Sequence, residues 1–144
     1  SMYNDKINIS NRSITKDELN MIYDDFLVIE RKDGLPDANT RRLEYTADSD
    51  DGIIGYASGL TYYEWFYLTD LWVHEDYRRK KIGTELLSLL ENEVKSIGIK
   101  HIYTWTSGFK NPKFYGKQGY YVFTVFEDFY KVKGYHKIGY RKDL

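Results

Sequence analysis

The residues best suited to chemistry form a basic loop between a strand-like and a helix-like stretch. Four consecutive cations, Arg78 to Lys81, separate apolar residues that end at Val73 from an amphipathic stretch that begins at Ile82. The first backbone N–H groups of a helix have no intrahelical partner, and the helix dipole places about half a positive charge there. Four like charges repel one another, and a helix start is the unfavourable end for cations, so a bound polyanion would offset both costs. The pattern therefore predicts a phosphate-type site; a solvated basic loop ahead of an ordinary surface helix is the alternative.

Several other kinds of site are excluded. The sequence contains neither G-x-x-x-x-G-K-[ST] nor G-x-G-x-x-G, so the loop is not a Walker loop or a dinucleotide fingerprint. The absence of cysteine excludes disulfides, thiolate metal sites, iron–sulfur clusters and a cysteine nucleophile. Three widely spaced histidines do not predict a metal site, and we expect none.

Length and hydropathy predict one soluble domain over residues 1–144. No apolar stretch approaches the roughly 20 residues of a membrane helix, and the polar N-terminus does not resemble a signal peptide, so we expect a cytoplasmic protein that does not bind membranes. Aromatic residues make up 17% of the chain, a surplus that permits a homodimer without requiring one.

Charge is distributed unevenly along the chain. Residues 1–76 hold 7 Lys or Arg and 16 Asp or Glu, a net charge of −9, whereas residues 77–144 hold 14 and 6, a net charge of +8. A basic half suits an anionic ligand and an acidic half a cationic one, although charges of this kind also keep a small domain soluble.

Periodicity predicts an α/β (α+β) fold with a mixed sheet of six or seven strands and about four helices. Strand–helix–strand order around the basic loop predicts two neighbouring parallel strands. Thr15 and Glu18 have capping-box spacing and predict a helix start. The predicted strands are residues 7–10, 42–47, 53–62, 65–73, 99–106, 120–126 and 135–141, and the predicted helices begin at Thr15 and Ile82, with a short one within 109–118.

Three segments resemble the GNAT N-acetyltransferases. Residues 71–87 (LWVHEDYRRKKIGTELL) are similar to the family's acetyl-CoA signature, R/Q-x-x-G-x-G/A between a strand and a helix, with Arg78 and Gly83 at its ends and Lys81 where a glycine is usual. Residues 111–120 (NPKFYGKQGY) resemble a second family region, with Asn111 and Tyr115 at its polar positions. Residues 134–144 resemble a last strand of the family.

The resemblance implies a mostly antiparallel sheet with a splayed parallel pair and acetyl-CoA as co-substrate. The pantetheine arm would pair with the main chain of Leu71, Trp72 and Val73. The pyrophosphate would lie on the N–H groups of residues 79–84, with side chains nearby. The implied cofactor-binding residues are Leu71, Trp72, Val73, Arg78, Arg79, Lys80, Lys81, Ile82, Gly83, Thr84 and Asn111.

The resemblance also implies direct acetyl transfer from sulfur to a primary amine. Tyr115 matches the position of the family's acid, and Asp70 and Glu64 are candidate bases because they lie in or near the strand facing the substrate. Tyr62, Tyr63, Trp65 and Phe66 either line a substrate pocket or pack the sheet. We expect a small cationic amine or a protein lysine as acceptor.

Two other functions are consistent with these residues. The basic loop and the lysines after it could bind nucleic acid, although the acidic half and near-neutral total charge argue against it, so no nucleic-acid partner is expected. The second alternative function is that of a non-catalytic acyl-CoA-binding domain, because Lys81 departs from the family pattern.

Overall fold

A computed structural model gives the structure of residues 5–107 and 112–144. It comprises two compact units, Ser1–Asp37 and Ala38–Leu144.

In residues 5–37, the described part of the first unit, there is a single helix, α1 (Lys16–Lys32). It begins at the predicted capping box: the Thr15 hydroxyl accepts from the Glu18 N–H, and the Glu18 carboxylate accepts from the Thr15 N–H. The strand predicted at residues 7–10 is wrong, since residues 5–15 have no regular structure. Ile7 and Ile9 alternate with polar residues but are 84% and 97% exposed, and alternation alone cannot make a strand that has nothing to pair with.

The second unit is a six-stranded sheet in the order β1-β2-β3-β4-β6-β5. Neighbouring strands are antiparallel except β3 and β4, which are parallel. The strands are β1 (Arg42–Ser49), β2 (Gly52–Tyr62), β3 (Trp65–Val73), β4 (His101–Ser107), β5 (Tyr121–Phe126) and β6 (Lys137–Asp143). The helices are α2 (Ile82–Ser96) and α3 (Phe114–Lys117), with a 3-10 turn at Glu75–Tyr77.

Helix α2 packs against β1, β2 and β3 and makes the core. Its apolar stripe buries Leu86, Leu87, Leu90 and Val94, as the 3.6-residue periodicity predicts. The facing strands contribute a second set of buried residues: Leu43, Ala57, Phe66, Leu68 and Ile102. This face of the sheet is called the α2 face below.

The parallel pair is splayed. Its ladder holds only three residue pairs, Trp65–His101, Phe66–Ile102 and Tyr67–Tyr103, although both strands continue. Two residues after the last pair, Thr69 is an extra residue in β3, because Gly59 pairs with Leu68 and Ser58 with Asp70. A bulge of this kind bends its strand and increases its twist, so β3 turns away from β4.

The expected fold class is therefore confirmed: a mixed, mostly antiparallel sheet with one splayed parallel pair. Over the described ranges there are six strands and three α-helices, the lower end of the expected strand number and one helix fewer.

Candidate functional site

The basic loop lies where β3 ends and α2 begins, and its backbone is shaped like an anion site. Arg79 and Lys81 both have positive φ, 61° and 62°, on either side of Lys80. Successive residues of alternating φ sign turn their N–H groups towards one concavity, an arrangement that binds anions. Within the described part of the chain, no group accepts a hydrogen bond from the six N–H groups of residues 79–84, and the helix ladder begins only with Glu85 N–H to Lys81 O.

The four cations of the loop are exposed and not neutralised. None of Arg78, Arg79, Lys80 and Lys81 forms an ion pair with a described residue. The Lys80 ammonium lies over the Tyr77 ring, 5.4 Å from its centroid. The Arg78 Nε donates to the Val73 carbonyl at 3.4 Å, which turns this side chain back towards the end of β3. Free amides and free cations together suit a diphosphate.

The end of β3 offers a strand edge next to this loop that is paired on one side only among the residues the structure describes. Leu71, Trp72 and Val73 pair with β2 on one side, while on the other side the ladder to β4 has already stopped at Tyr67. Main-chain groups on such an edge can bind an extended chain as an added strand. A ligand with an extended arm that ends in a diphosphate therefore fits here, with the arm along the strand edge and the diphosphate at the loop.

Among the remaining expected cofactor residues, Ile82, Gly83 and Thr84 form the first turn of α2. A Cβ added to Gly83 would meet Val73 Cγ2 at 3.5 Å, an ordinary contact, so packing alone does not demand glycine there. The Thr84 hydroxyl accepts from Gln118 Nε2 at 3.2 Å, which joins α2 to the end of α3. Asn111 lies outside the described residues.

Tyr115 stands on the α2 face, close to where β3 and β4 part. It lies on α3, and its ring contacts those of Tyr120 and Tyr140, each centroid 5.4 Å away. Burial raises the pKa of the Tyr115 hydroxyl to about 12, and a hydrogen bond with Thr104 opposes part of that rise. The Thr104 hydroxyl itself donates to Leu68 O at 2.8 Å, directly beyond the last residue pair of the ladder. The Tyr115 phenol is therefore protonated at neutral pH and near the opening of the splay.

The two candidate bases lie on either side of the segment of β3 that pairs with β4. Asp70 follows the bulge; its carboxylate accepts from the Thr69 hydroxyl at 2.7 Å and lies 4.0 Å from Arg42 Nη1. Glu64 precedes β3, about 20 Å of strand away at ~3.3 Å per residue, and pairs with Lys100 Nζ at 3.2 Å. Asp70 is thus at the splay, whereas Glu64 is at the paired end.

The bulge decides which face Asp70 takes. Phe66 and Leu68 point into the core, and after the extra residue Leu71 is the next to pack there. Asp70 therefore faces the other side of the sheet, opposite Tyr115. The splay has an acidic group on one face and a phenol on the other.

A pocket of about 520 Å³ lies between the β2–β3 hairpin and β4. It is lined by Thr40, Leu60, Thr61, Tyr62, Tyr63, Trp65, Tyr67 and Tyr103. Phe66 does not line it, because the residue is fully buried in the core. Sequence reasoning missed Leu60, Tyr67 and Tyr103; the period-2 alternation of the hairpin was the signal that could have found Leu60 and Tyr67, since both share a face with Tyr62 and Trp65.

In residues 5–107 and 112–144, no three His, Asp or Glu residues are grouped as a metal site would need. The helices of the same ranges are too short or too polar to cross a membrane.

Comparison with known proteins identifies the family. Residues 11–120 match the family described as Acetyltransferase (GNAT) family. No curated protein sequence matches the chain significantly. An acetyltransferase from Bacillus cereus ATCC 14579 has a similar structure, with 27% identity, a TM-score of 0.80, and coverage of 96% of this chain and 98% of that one.

Two more distant structures share the fold. An aminoglycoside 6'-N-acetyltransferase complexed with coenzyme A has 21% identity and a TM-score of 0.60, covering 91% of this chain and 95% of that one. The ribosomal-protein-S18-alanine N-acetyltransferase of Escherichia coli has 14% identity and a TM-score of 0.63, covering 92% and 91%. With its splayed parallel strands and a family match over residues 11–120, the chain belongs to the GNAT acetyltransferase family.

Proposed function

We propose that this chain transfers an acetyl group from acetyl-CoA directly to a primary amine. The observation that carries the proposal is the splay between β3 and β4, with an anion-binding loop at its end and with Asp70 and Tyr115 near its two faces. Relatives of known name act on acceptors as different as an aminoglycoside and a protein alanine, so the fold alone does not choose the amine.

Different groups of the chain bind different parts of acetyl-CoA. The N–H groups of residues 79–84 hold the diphosphate, and Lys80, Lys81 and Arg79 add charge around it. The open edge of Leu71–Val73 holds the pantetheine arm by main-chain hydrogen bonds. Acetyl-CoA supplies the acetyl thioester when it is bound.

Asp70 is the group we assign to proton removal from the amine. The amine must be neutral to attack: a bond forms between its nitrogen and the acetyl carbon, the carbon–sulfur bond breaks, and the proton lost by nitrogen passes to Asp70 and on to solvent. Arg42 Nη1 donates to the Thr69 hydroxyl at 2.9 Å and to Ser58 Oγ at 2.8 Å, so the surroundings of Asp70 are held in place. Glu64, at the other end of β3 and paired with Lys100, is the weaker candidate.

Tyr115 is the group we assign to the departing thiolate. Its pKa of about 12 keeps the hydroxyl protonated, as a donor must be. The cysteine thiol, the reference for such a group, has a pKa of about 8.5, so complete proton transfer from the phenol is uphill. The hydroxyl therefore stabilises the thiolate as a hydrogen-bond donor, and the thiol takes its final proton from solvent.

The experiment is a thiol-release assay with acetyl-CoA and a panel of primary amines. For an amine that turns over, Tyr115→Phe should lower kcat by about 10²-fold, the usual contribution of a positioned proton donor, while the Kd for acetyl-CoA measured by calorimetry stays the same. Tyr140→Phe is the matched control, because its ring stacks on Tyr115 but its hydroxyl makes only a 3.4 Å contact to Pro112 O.

Three outcomes would contradict parts of the proposal. Equal kcat for Tyr115→Phe and Tyr140→Phe removes Tyr115 from its role. Acetyl-CoA binding with no turnover of any amine makes the chain a non-catalytic acyl-CoA-binding domain. Binding of single-stranded DNA with a steep salt dependence, and none of acetyl-CoA, replaces the enzyme by a nucleic-acid-binding module.

A further inference from the structure

The pocket beside the splay has walls made mainly of aromatic rings. Tyr67 and Tyr103 stack in parallel with centroids 4.8 Å apart, and Trp65 meets Tyr103 edge-on at 6.0 Å. Tyr62 and Tyr63 form a second edge-on pair at 4.9 Å. Rings that hold one another in this way make a rigid wall, which loses little side-chain freedom when a ligand binds.

The lining carries no charge. None of the eight lining residues is acidic or basic, and the Thr61 hydroxyl already contacts the Asn39 and Arg41 carbonyls. Two cations stand at the border: the Arg141 guanidinium lies 4.7 Å from the Trp65 centroid, and Arg42 is opposite Leu60 in the β1–β2 ladder. Each of these cations is beside a carboxylate, Asp143 at 2.8 Å from Arg141 and Asp70 at 4.0 Å from Arg42, so the border carries no excess positive charge. The lining itself offers a polycation no carboxylate, and the pocket therefore suits an apolar group.

The position of the pocket links it to the reaction. Tyr67 and Tyr103 are the last residue pair before the splay. Asp70 lies on the same face of the sheet, about 10 Å further along β3 at ~3.3 Å per residue. An amine whose nitrogen reaches Asp70 can therefore place a group one short carbon linker away between the aromatic walls.

We infer that this pocket selects a primary amine whose short carbon chain carries an aromatic or bulky apolar group, in preference to a polyamine or an aminoglycoside. The inference rests on the proposed acetyl transfer.

The first test compares amines that differ only in the group the pocket would hold. Burial of a phenyl-sized group predicts a kcat/KM for 2-phenylethylamine about 10- to 100-fold above that for ethylamine. Spermidine and kanamycin should fall below 2-phenylethylamine as well. A higher kcat/KM for spermidine or kanamycin overturns the inference and leaves the proposed function standing.

The second test changes the wall. Tyr103→Leu removes one ring of the stacked pair and should reduce the preference for 2-phenylethylamine over ethylamine by about tenfold. Tyr135→Leu makes the same exchange outside the pocket and should keep the parent's preference. Equal preferences in the two variants would overturn the assignment of this pocket.

The third test measures the binding of a ligand that cannot turn over. 2-Phenylethanol has the shape of 2-phenylethylamine but no amine, and saturation-transfer NMR should detect its ring protons on the parent protein and on Tyr135→Leu, with a weaker signal on Tyr103→Leu. Absence of the signal from the parent overturns the inference. Calorimetric titration with acetyl-CoA runs alongside: failure to bind acetyl-CoA defeats the proposed function, whatever the pocket binds.

Discussion

Lys81 stands where the family pattern has a glycine, and its backbone adopts the left-handed conformation that favours glycine. Lys81 adopts φ 62° and ψ 20°, and it caps α2 without a side-chain hydrogen bond. The left-handed region costs a residue with a Cβ roughly 1–2 kcal/mol, a cost that glycine does not have. The chain keeps the glycine-like backbone despite this cost, which indicates that the geometry of the N–H groups is what the loop requires.

Replacement of Lys81 by glycine should therefore stabilise the protein. Lys81→Gly should raise the free energy of unfolding by about 0.5–1 kcal/mol, since relief of the left-handed strain exceeds the added entropy of the unfolded chain. Urea denaturation followed by tryptophan fluorescence measures the change.

Lys81→Ala is the matched variant, because it removes the same charge and retains the Cβ. It should give no gain in stability and should bind acetyl-CoA more weakly than the parent. Lys81→Gly should bind acetyl-CoA at least as tightly as the parent; a large loss in calorimetry would show that the ammonium itself holds the phosphate.

At the scale of elements, one buried hydroxyl joins β3 and β4 at the origin of the splay. Thr104 is 3% exposed and donates to Leu68 O at 2.8 Å, where the β3–β4 ladder no longer supplies a main-chain donor. Thr104→Val keeps the shape and leaves that buried carbonyl without a donor, which should lower the free energy of unfolding by about 1–3 kcal/mol. Urea denaturation checks this value.

Thr104→Ser retains the hydroxyl and is the control for this prediction. It should lie closer to the parent than Thr104→Val does, although it loses a methyl group. The reverse order would mean that packing, and not the hydrogen bond, holds the strands at this point.

The elements that have a local cause could be predicted from the sequence. The capping box at Thr15 acts within α1, and the apolar stripe after Ile82 acts within α2. Each helix starts where its signal predicts. Residues 7–10 show the limit, because a strand also needs a partner, and alternation does not say whether one exists. The bulge at Thr69 is beyond sequence reasoning for the same reason: β3 reads as one uninterrupted strand, and only its pairing with β2 reveals the extra residue.

The candidate site divides in the same way. The loop of residues 78–84 is contiguous, so its chemistry could be proposed from residue types alone. The residues of the pocket are not contiguous in the sequence: Leu60, Tyr67 and Tyr103 come from three strands and meet only when the sheet forms. Asp70 could be named as a candidate, but its preference over Glu64 required the position of the splay.

At the scale of the whole molecule, most of the described tyrosines lie outside the buried core. Only Tyr120 and Tyr140 among the described tyrosines belong to the buried core. Others cover the face of the sheet opposite α2, where cations stack on the rings: Arg141 over Trp65 and Tyr121, and Lys137 over Trp105. These rings make an aromatic face that contains the pocket described above, whereas the core is mainly aliphatic.

Asp143 ties three strands of this face together and should make the second unit sensitive to acid. Its carboxylate on β6 accepts from Arg141 Nη2 at 2.8 Å, contacts His101 Nδ1 of β4 at 2.6 Å and accepts from the Tyr121 hydroxyl of β5 at 3.1 Å. The hydrogen bond from Arg141, followed by that from His101, lowers the pKa of Asp143 to about 2.

The direction of the pH dependence follows from that shift. The unfolded chain binds the proton at a pKa of about 3.9, above the folded value, so the stabilisation by Asp143 is complete above about pH 5 and is lost as the pH falls from 4 to 2. Urea denaturation at pH 7, 4 and 2.5 should therefore give a falling free energy of unfolding, and Asp143→Asn should be less stable at pH 7 with a shallower fall below pH 4. All three tryptophans lie in the second unit, so their fluorescence reports its unfolding. Asp50→Asn, in the exposed turn after β1, should keep the parent's slope; a slope for Asp143→Asn equal to that of Asp50→Asn would show that the links from β6 to β4 and β5 do not contribute to stability.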